Sequence, residues 1–321
     1  MPADEFELID RFFKGLTRGD GGVTCGIGDD AAVVQVPKDS ELVVSTDTLV
    51  SGVHFPPATD PADIGFKSLA VNLSDMAAMG AEPRWATLAL TLPSGDSTWL
   101  HKFSRGFAEL ADRHGVSLIG GDLSKGPLTV TVQILGTVPA GTALRRCTAS
   151  VGEEIYVTGV LGDAAFALSV LERNVAEFEK LPAACRQRLL RPLPRIDVGL
   201  AIRPLAGAAI DISDGLAADL QHIVDASQAG AEVDLAALPI SDVLKSLERG
   251  KALELALTKG DDYELCFTAP ENCRDKINGI ASRTGCGITR IGRIMEGESV
   301  RWKNEDGSDY QPVDAGYRHF N

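Results

Sequence analysis

The sequence predicts a protein of two domains, each of mixed α+β or α/β class. Its 321 residues exceed the usual length of one domain, and 44% of them are hydrophobic, which supports substantial cores. Aromatic residues make up 6% of the chain, a composition that suits packed helix–sheet layers better than an all-β sandwich. Strand-like apolar runs also alternate with helical patterns. We place the domains at residues 1–140 and 150–321, with the junction beginning at Pro139.

In the first domain, hydrophobic spacing and turn residues predict three helices and five strands. Apolar residues recur at helical spacing over residues 4–16, and Pro61 after Asp60 predicts the start of a helix that should end at Gly80. Apolar runs at 31–36 and 41–45 are predicted as neighbouring strands joined through a turn at 37–39. The other predicted elements are a strand at 85–92, a helix at 97–114 and strands at 116–119 and 128–138.

The second domain shows the same alternation of apolar runs and helical patterns. Gly162 followed by Asp163 predicts the start of an Ala-rich helix, and Pro192 and Pro194 separate two further helical patterns. Strands are predicted at 154–158, 208–212, 231–235, 264–268, 288–294 and 300–302, and helices from 163 and at 183–191, 195–205, 215–227 and 271–283.

The net charge of the chain is −14, from 31 basic and 45 acidic residues. Such a surface repels nucleic acid and anionic lipid, so we expect neither nucleic acid nor a membrane as a partner. The six cysteines form no C-x-x-C pair, which favours free thiols in a reducing compartment. The sequence starts with acidic residues and has no apolar signal core or stretch of about 18 apolar residues. We therefore expect a cytoplasmic protein.

Six short segments place Asp among Gly, Ser, Thr, Asn or Ala. Each alone is ordinary turn or helix-cap chemistry, so the inference depends on the set. Four of them follow apolar runs, which puts their acids at strand ends, where open α/β sheets bind ligands. Carboxylates and close glycine backbones are what Mg²⁺ and phosphates require, so the set predicts a magnesium-nucleotide site. The segments are Gly28-Asp29-Asp30-Ala31, Ser45-Thr46-Asp47, Asn72-Leu73-Ser74-Asp75, Gly120-Gly121-Asp122, Asp211-Ile212-Ser213-Asp214-Gly215 and Gly260-Asp261-Asp262-Tyr263-Glu264.

The familiar motifs of nucleotide and hydrolytic enzymes are absent from the sequence. It contains neither the Walker G-x-x-x-x-G-K-[ST] loop nor a G-x-G-x-x-G after a strand, and it lacks the protein-kinase set. No G-x-S-x-G elbow occurs, and the five histidines are too dispersed for an H-E-x-x-H metal site. A nucleotide would therefore be held through metal ions, glycine backbones and a few arginines.

Across almost its whole length the sequence resembles the thiamine-monophosphate kinase family. This family belongs to a superfamily with aminoimidazole-ribonucleotide synthetase, selenophosphate synthetase and a hydrogenase maturation dehydratase. The resemblance is carried by segments in the order and spacing of the family. They lie at residues 26–31, 45–50, 70–80, 118–122, 210–216 and 262–265.

The resemblance implies an aminoimidazole-ribonucleotide synthetase-like fold, with an N-terminal α/β half-barrel domain that dimerises and a C-terminal α/β domain. It implies transfer of the terminal phosphoryl group of ATP to thiamine monophosphate in a homodimer, with the ATP cleft between the two domains. The implied Mg²⁺ ligands are Asp30, Ser45, Thr46, Asp47, Asp75, Asp122, Asp211 and Asp214. The implied ATP contacts are Gly121, Asp122, Arg146 and Ser213. The implied thiamine phosphate contacts are His54, Asp261 and Tyr317.

The sequence departs from the family at two positions. The family often carries a second Gly and a Glu ahead of Asp-Tyr-Glu, whereas this chain has Lys259-Gly260-Asp261. Two threonines often follow the Gly-Asp pair in the family, whereas Leu123 and Ser124 follow here. The first departure shortens an acid that is expected at the substrate, and the second changes a loop without changing the metal ligand.

The chemistry of phosphoryl transfer agrees with these residues. The acceptor that the resemblance implies is a phosphate monoester, whose second pKa near 6 would leave it mostly ionised at neutral pH. An anionic oxygen needs no general base, so we expect direct in-line transfer with no catalytic nucleophile or base from the protein. Ser45 and Thr46 offer either hydroxyl or carbonyl oxygens. Ser213 is expected to contact ATP, to cap the following helix, or to do both.

Three other interpretations remain open on the sequence. One is another ATP-dependent synthetase or dehydratase of the superfamily, although Cys25 lacks the lysine partner typical of selenophosphate synthetases. A second is a metal-dependent phosphohydrolase, because clustered acids also support two-metal hydrolysis. A third is a magnesium-nucleotide sensor without catalytic activity.

Overall fold

The computed structural model describes residues 5–19, 21–313 and 316–317. The chain divides into two compact units, of which the first comprises Met1–Met76 and Ala81–Gly141 and the second comprises Ala77–Gly80 and Thr142–Asn321. Both units combine helices with β-sheet, which confirms the predicted mixed α/β class. Within the described ranges, no helix combines the length and the apolar character needed to cross a membrane.

The first unit contains three α-helices and six strands in its described residues. They are α1 (Glu5–Phe12), β1 (Val23–Cys25), β2 (Val33–Val34), β3 (Ser40–Val50), α2 (Pro61–Ala78), β4 (Glu82–Leu92), α3 (Ser97–His114), β5 (Ser117–Lys125) and β6 (Thr129–Pro139). Helix α3 has strong signals at both ends. Asp96 accepts hydrogen bonds from the N–H groups of Thr98 and Trp99, and Gly115 ends the helix in the left-handed conformation.

The main sheet of the first unit has the strand order β3-β6-β4-β5. β6 pairs antiparallel with β3 and β4, and β4 pairs parallel with β5. Helix α2 packs tightly on β6, since a Cβ atom at Gly136 would lie 2.7 Å from the sulfur of Met76. The other face of β3 is open: the side chains of Leu42 and Val44 are 43% and 50% exposed.

The second unit contains eight α-helices and seven strands in its described residues. They are β7 (Glu154–Thr158), α4 (Asp163–Arg173), α5 (Val175–Lys180), α6 (Ala183–Leu190), α7 (Ile196–Ile202), β8 (Ala209–Ile212), α8 (Leu216–Ser227), β9 (Gly230–Asp234), α9 (Asp242–Lys245), α10 (Arg249–Thr258), β10 (Glu264–Ala269), α11 (Arg274–Thr284), β11 (Ile288–Met295), β12 (Val300–Lys303) and β13 (Asp309–Tyr310).

These seven strands form one sheet in the order β13-β12-β9-β11-β7-β10-β8. β12 pairs parallel with β9, and the other neighbours pair antiparallel. The apolar side of α8, with Leu220 and Ile223, packs into the same core as Ile210 and Ile212 of β8. This packing fixes the short connection between β8 and α8, which carries Ser213 and Asp214.

Two predictions for the first unit are wrong in detail. The runs at 31–36 and 41–45 do not pair with each other, because β2 pairs with β1 and β3 pairs with β6 along all eleven of its residues. The long ladder with β6 satisfies far more backbone groups than a short hairpin would. The strand predicted at 116–119 continues to Lys125, so Gly121 and Asp122 lie inside β5 rather than after it.

Candidate functional site

Ser45 and Asp47 of β3 meet Asp75 of α2. Along β3, the side chains of Ser45 and Asp47 lie on the face of the buried residues Val43 and Leu49, and the side chain of Thr46 between them points to the other face. The hydroxyl of Ser45 donates to Oδ2 of Asp75 at 2.5 Å. Burial, the charge of Asp75 and a hydrogen bond with Asp75 together raise the pKa of Asp47 to about 7. The two carboxylates therefore lie close enough to repel each other.

The Asp47–Asp75 pair fits Mg²⁺ in its chemistry. Two carboxylates and a hydroxyl are hard oxygen donors, and a cation held by both acids would offset the repulsion that raises the pKa of Asp47. Over residues 5–19, 21–313 and 316–317, no group of three or more His, Cys, Asp or Glu residues is arranged to hold a metal ion. Water and phosphate oxygens would have to complete the coordination, as is common for Mg²⁺.

Thr46 lies on the other side of β3 from Asp47. Its side chain is exposed, and its hydroxyl accepts a hydrogen bond from Nε2 of Gln133 on β6 at 3.4 Å. The structure therefore separates the Thr46 hydroxyl from the two carboxylates. Of the two oxygens considered from the sequence, the backbone carbonyl is the one left for a shared ion.

Asp30 and Asp122 line one cavity of about 670 Å³, a size typical of small-molecule sites. Residues 26–32 and 118–123 form much of its wall, and Phe6 and Ile9 of α1 add apolar surface. Gly121 is required in this wall, because its φ is 154° and a Cβ atom there would lie 1.9 Å from the carbonyl oxygen of Leu88. Asp122 is exposed and accepts a hydrogen bond from the hydroxyl of Ser124 at 2.6 Å.

The register of the sheet separates this cavity from the Asp47–Asp75 pair. Asp47 pairs with Val132, Val132 with Leu88, and Leu88 with Gly121, so that Asp47 and Gly121 lie in one row across four strands. Three strand spacings correspond to about 14 Å. Asp47 and Gly121 therefore lie on the two edge strands of this sheet, β3 and β5.

His54 lies in the turn after β3. Its Nδ1 accepts a hydrogen bond from the N–H of Val50 at 3.0 Å. A neutral imidazole that accepts at Nδ1 carries its hydrogen on Nε2. This hydrogen bond fixes the orientation of the ring against the turn that follows β3.

In the second unit, the connection between β8 and α8 brings together several residues predicted from the sequence. Asp211 is the acid of β8 and is 4% exposed, and Ser213 and Asp214 follow it half-buried. Gly215 precedes α8 with a φ of 113°, a value that favours glycine. We call residues 213–215 the Ser213 loop.

Sequence reasoning missed Asp219, whose carboxylate holds the Ser213 loop. Asp219 lies in the first turns of α8 and is 2% exposed. Its Oδ2 accepts hydrogen bonds from the N–H groups of Ser213 at 3.0 Å and Asp214 at 3.1 Å. Burial and the charge of Asp214 raise the pKa of Asp219 to about 7, although these hydrogen bonds and Arg146 act in the opposite direction. An acid four residues after a Gly-capped helix start was the available sequence signal.

The segment of residues 260–263 packs against the Ser213 loop through its backbone. Asp261 donates its N–H to the carbonyl of Ser213, and Tyr263 donates its N–H to the carbonyl of Ile212, both at 2.8 Å. The φ angles of Gly260, Asp261 and Tyr263 are 65°, 65° and 50°. Left-handed conformations at non-glycine residues are strained and concentrate at functional sites. The fold thus brings Asp261 and Ser213 together.

Tyr317 and Arg146 complete this group. The N–H of Tyr317 donates to the carbonyl of Asp214 at 3.0 Å, and the side chain is 44% exposed. The carbonyl of Arg146 accepts a hydrogen bond from Ser227 at 2.8 Å, and the guanidinium is close enough for its charge to lower the pKa of Asp219. Residues predicted to bind nucleotide and residues predicted to bind the acceptor therefore meet at the Ser213 loop.

Two further acids close to Asp261 in the sequence make contacts that hold the second unit together. Asp262 is buried and accepts the N–H of Gly162 at the start of α4, and burial raises its pKa well above its usual range. Glu264 is fully buried and accepts hydrogen bonds from Arg188 and Arg195 at 2.5 to 2.6 Å. These contacts make Glu264 part of the core of the second unit.

Comparison with known proteins identifies the family of this chain. Residues 28–138 match the N-terminal domain and residues 150–303 the C-terminal domain of AIR synthase related proteins. The chain is similar to thiamine-monophosphate kinase of Salmonella typhimurium, with 49% identity over all of this chain and 99% of that protein. It is also similar to the crystal structure of thiamine-monophosphate kinase from Stenotrophomonas maltophilia K279a, with a TM-score of 0.87, 48% identity, and coverage of 97% of this chain and 99% of that chain.

A third similarity concerns a protein solved with small molecules. The chain matches the structure of AaThiL complexed with AMPPCP and TMP at a TM-score of 0.77 and 33% identity, over 98% of this chain and 97% of that chain. These matches confirm the predicted two-domain, AIR synthase-like fold. Because the relatives match along essentially their full length, the chain belongs to the thiamine-monophosphate kinase family.

Proposed function

We propose that this chain transfers the terminal phosphoryl group of ATP to thiamine monophosphate, giving thiamine diphosphate and ADP. The observation that carries the proposal is the full-length identity of 49% to a thiamine-monophosphate kinase. The meeting of Ser213, Asp261 and Tyr317 at one loop supports it, because the reaction needs donor and acceptor side by side. A related structure contains AMPPCP and TMP together.

The proposed transfer is a direct in-line displacement. One bond forms between a phosphate oxygen of thiamine monophosphate and the γ-phosphorus of ATP. The bond from that phosphorus to the β–γ bridging oxygen breaks, and the oxygen leaves with ADP. We assign no nucleophile or general base to the protein, because the attacking oxygen is already anionic near neutral pH.

We assign four residues to nucleotide binding: Gly121, Asp122, Arg146 and Ser213. Gly121 lets β5 lie against the carbonyl of Leu88, and this places Asp122 at the cavity wall, where its carboxylate can meet a phosphate-bound cation. Arg146 offers a guanidinium that binds phosphate oxygens in a fork, and Ser213 offers a hydroxyl and a backbone fixed by Asp219.

We also propose a divalent requirement met by Mg²⁺. When bound, Mg²⁺ supplies charge that screens the repulsion between the anionic acceptor and the triphosphate. The residues that would hold it are Asp30, Ser45, Thr46, Asp47, Asp75, Asp122, Asp211 and Asp214. The contact between Asp47 and Asp75 supports this assignment, and the distance between that pair and Asp122 favours more than one ion.

The acceptor is assigned to His54, Asp261 and Tyr317. The thiazolium of thiamine is a cation, which an aromatic ring and a carboxylate both attract. Tyr317 is partly exposed and Asp261 lies beside the Ser213 loop. His54 is assigned from the family resemblance, and its ring is held in the turn after β3 by the N–H of Val50.

A homodimer and a cytoplasmic location complete the proposal. The exposed apolar side chains of Leu42 and Val44 lie on the open face of β3, and a second copy of the same sheet would cover them. The six cysteines are all free thiols, which suits a reducing compartment.

One assay tests the proposed function. Purified protein is incubated with ATP, MgCl₂ and thiamine monophosphate, and the products are separated by chromatography. Thiamine diphosphate and ADP in equal amounts are expected. Free thiamine with inorganic phosphate would replace the proposal with a phosphohydrolase, and nucleotide binding without turnover would replace it with a sensor.

A further inference from the structure

Asp219 is a buried acid for which the proposed reaction has no direct use. It is nine-tenths or more buried, and it belongs to α8, whose apolar side packs firmly into the core. A buried carboxylate is unfavourable unless hydrogen bonds compensate for the lost water. The compensation comes from the N–H groups of Ser213 and Asp214, which donate to a single oxygen, Oδ2.

These two hydrogen bonds differ from ordinary helix capping. The residue before α8 is Gly215, which has no side chain to cap the helix. Asp219 reaches instead past the start of the helix to the two residues ahead of Gly215. Its carboxylate therefore fixes the orientation of loop peptides rather than satisfying the first turn of its own helix.

The carbonyl groups of the same loop face other segments. Ser213 accepts from the N–H of Asp261, and Asp214 accepts from the N–H of Tyr317. Asp219 thus holds the N–H groups of Ser213 and Asp214. Asp261 and Tyr317, which we assign to acceptor binding, hold their carbonyl groups. A change at Asp219 would release one side of the loop while α8 and the neighbouring segments keep their own contacts.

We propose that Asp219 is a positioning residue that sets the backbone of Ser213 and Asp214 for binding the nucleotide. The inference rests on the proposed function only in taking a magnesium nucleotide as the ligand of this loop. Asp219 itself touches neither substrate. Its effect is carried by the two peptide N–H groups, which point at its carboxylate and so hold the Ser213 hydroxyl and the Asp214 carboxylate in one arrangement.

The test compares Asp219→Ala, Asp219→Asn and Asp225→Ala. Asn keeps one accepting oxygen and nearly the same shape, so it carries the test if the Ala variant does not fold. Asp225 is an exposed acid on the same helix and serves as the matched control. The first measurement is hydrogen exchange of the peptide that contains residues 211–217, made without nucleotide. Faster exchange is expected in this peptide for Ala, an intermediate rate for Asn, and the rate of the unmodified protein for the control.

The second measurement is the Kd for AMPPCP in saturating MgCl₂, with thermal melting to confirm folding. The Kd is expected to rise about tenfold or more in Asp219→Ala, less in Asp219→Asn and not in Asp225→Ala, since hydrogen bonds to a charged acceptor are stronger than neutral ones. Unchanged exchange in residues 211–217 of folded Asp219 variants would overturn the inference. So would weaker binding with unchanged exchange, because Asp219 would then act directly on the ligand.

The two proposals fail in different ways. If the unmodified protein binds AMPPCP but forms no thiamine diphosphate, the proposed function falls, and the ordering of exchange rates and Kd values still decides the role of Asp219. If thiamine diphosphate forms and the Asp219 variants bind AMPPCP as the unmodified protein does, the positioning role falls alone.

Discussion

Asp47 and Asp75 are joined as a pair of like charges on two different elements, a strand and a helix, and the pKa of Asp47 rises to about 7 as a result of burial and of this neighbour. A structural core rarely retains such a pair, because one carboxylate disfavours the ionisation of the other. The arrangement destabilises the protein at neutral pH and becomes favourable when a cation lies between the acids. Removal of one of the two carboxylates is therefore expected to stabilise the metal-free protein and to weaken metal binding.

Asp47→Asn should abolish most activity and stabilise the metal-free protein. The pKa of Asp47 is raised from 3.8 to about 7 by folding, so the native state binds the proton more tightly than the unfolded chain. The unfavourable contribution of this group to stability is thus absent below pH 4 and grows as the pH rises toward 7. In EDTA, the variant should melt higher than the unmodified protein at pH 8 and equally at pH 4.

The same variant should lose turnover by about 100-fold or more, as when one electrostatic contact to a transition state is removed. Added MgCl₂ should raise the melting temperature of the unmodified protein at pH 8 and raise it less in the variant. Asp39→Asn, in the exposed turn before β3, is the control. Equal stabilisation of both proteins by MgCl₂ would remove Asp47 from the metal site.

Gly121→Ala should destabilise the first unit and disrupt the cavity wall. A methyl group there would lie 1.9 Å from the carbonyl oxygen of Leu88, and the φ of 154° is unfavourable for alanine. We expect a loss of more than about 2 kcal/mol in the free energy of unfolding, measured in urea. Gly115→Ala has a left-handed φ but open space around it, so it should lose only about 1 kcal/mol. Equal losses in the free energy of unfolding for the two variants would mean that the structure around Leu88 makes room for the added methyl group at little cost.

Glu264→Gln should reduce stability strongly and leave substrate affinity unchanged. The substitution removes the partner of Arg188 and Arg195 at a fully buried position. Breaking one side of a buried ion pair costs about 3–5 kcal/mol. Lys180→Gln removes the exposed ion pair with Glu177 and should change the free energy of unfolding by less than about 1 kcal/mol. A changed KM in folded Glu264→Gln would instead place Glu264 at the site.

Tyr317→Ala should raise the KM for thiamine monophosphate and leave the KM for ATP unchanged. Stacking of a cation on an aromatic ring contributes about 0.5–2 kcal/mol, which corresponds to roughly a 2- to 30-fold change. Tyr317→Phe keeps the ring and should keep most of the affinity. A Phe variant as weak as the Ala variant would show that the hydroxyl, rather than the ring, is the important group.

Val44→Lys should convert a dimer into a monomer, as measured by light scattering after gel filtration. The side chain is half-exposed on the open face of β3, where a buried lysine would be left without a partner in a dimer. Val175→Lys, at an exposed position of α5, should leave the mass unchanged. A monomer mass for the unmodified protein at micromolar concentration would remove the dimer itself.

Local sequence signals predicted the bounds of some helices and strands correctly. The helix predicted at 97–114 coincides with α3 because Asp96 caps its start and Gly115 its end. The strand predicted at 154–158 coincides with β7, all of whose residues are buried. The pairing of β3 with β6 could not be predicted from the turn at 37–39, because it depends on residues almost ninety positions apart, such as Thr46 and Gln133.

The resemblance to a family supplied the residues of the site, and the structure supplied their grouping. Ser45, Asp47 and Asp75 lie together, and Asp30 and Asp122 line one cavity, and neither contact can be derived from the spacing of these residues in the sequence. Asp219 escaped prediction because its role is a contact between a side chain and the backbone N–H groups of residues five and six positions earlier. Its position four residues after Gly215 was the only local signal, and the contact itself depends on the conformation of the Ser213 loop. The roles assigned to individual residues stay predictions.

The hydrogen bond of 2.8 Å from Asp261 to Ser213 joins a residue assigned to the acceptor with one assigned to the nucleotide. A ligand that orders one of these two residues would therefore lower the entropy that must be lost when the other residue binds its own ligand. Thermodynamic linkage makes such a coupling reciprocal, so ATP should tighten thiamine monophosphate binding by the same factor by which thiamine monophosphate tightens ATP binding. A single peptide contact would thus give the enzyme synergy between its two substrates.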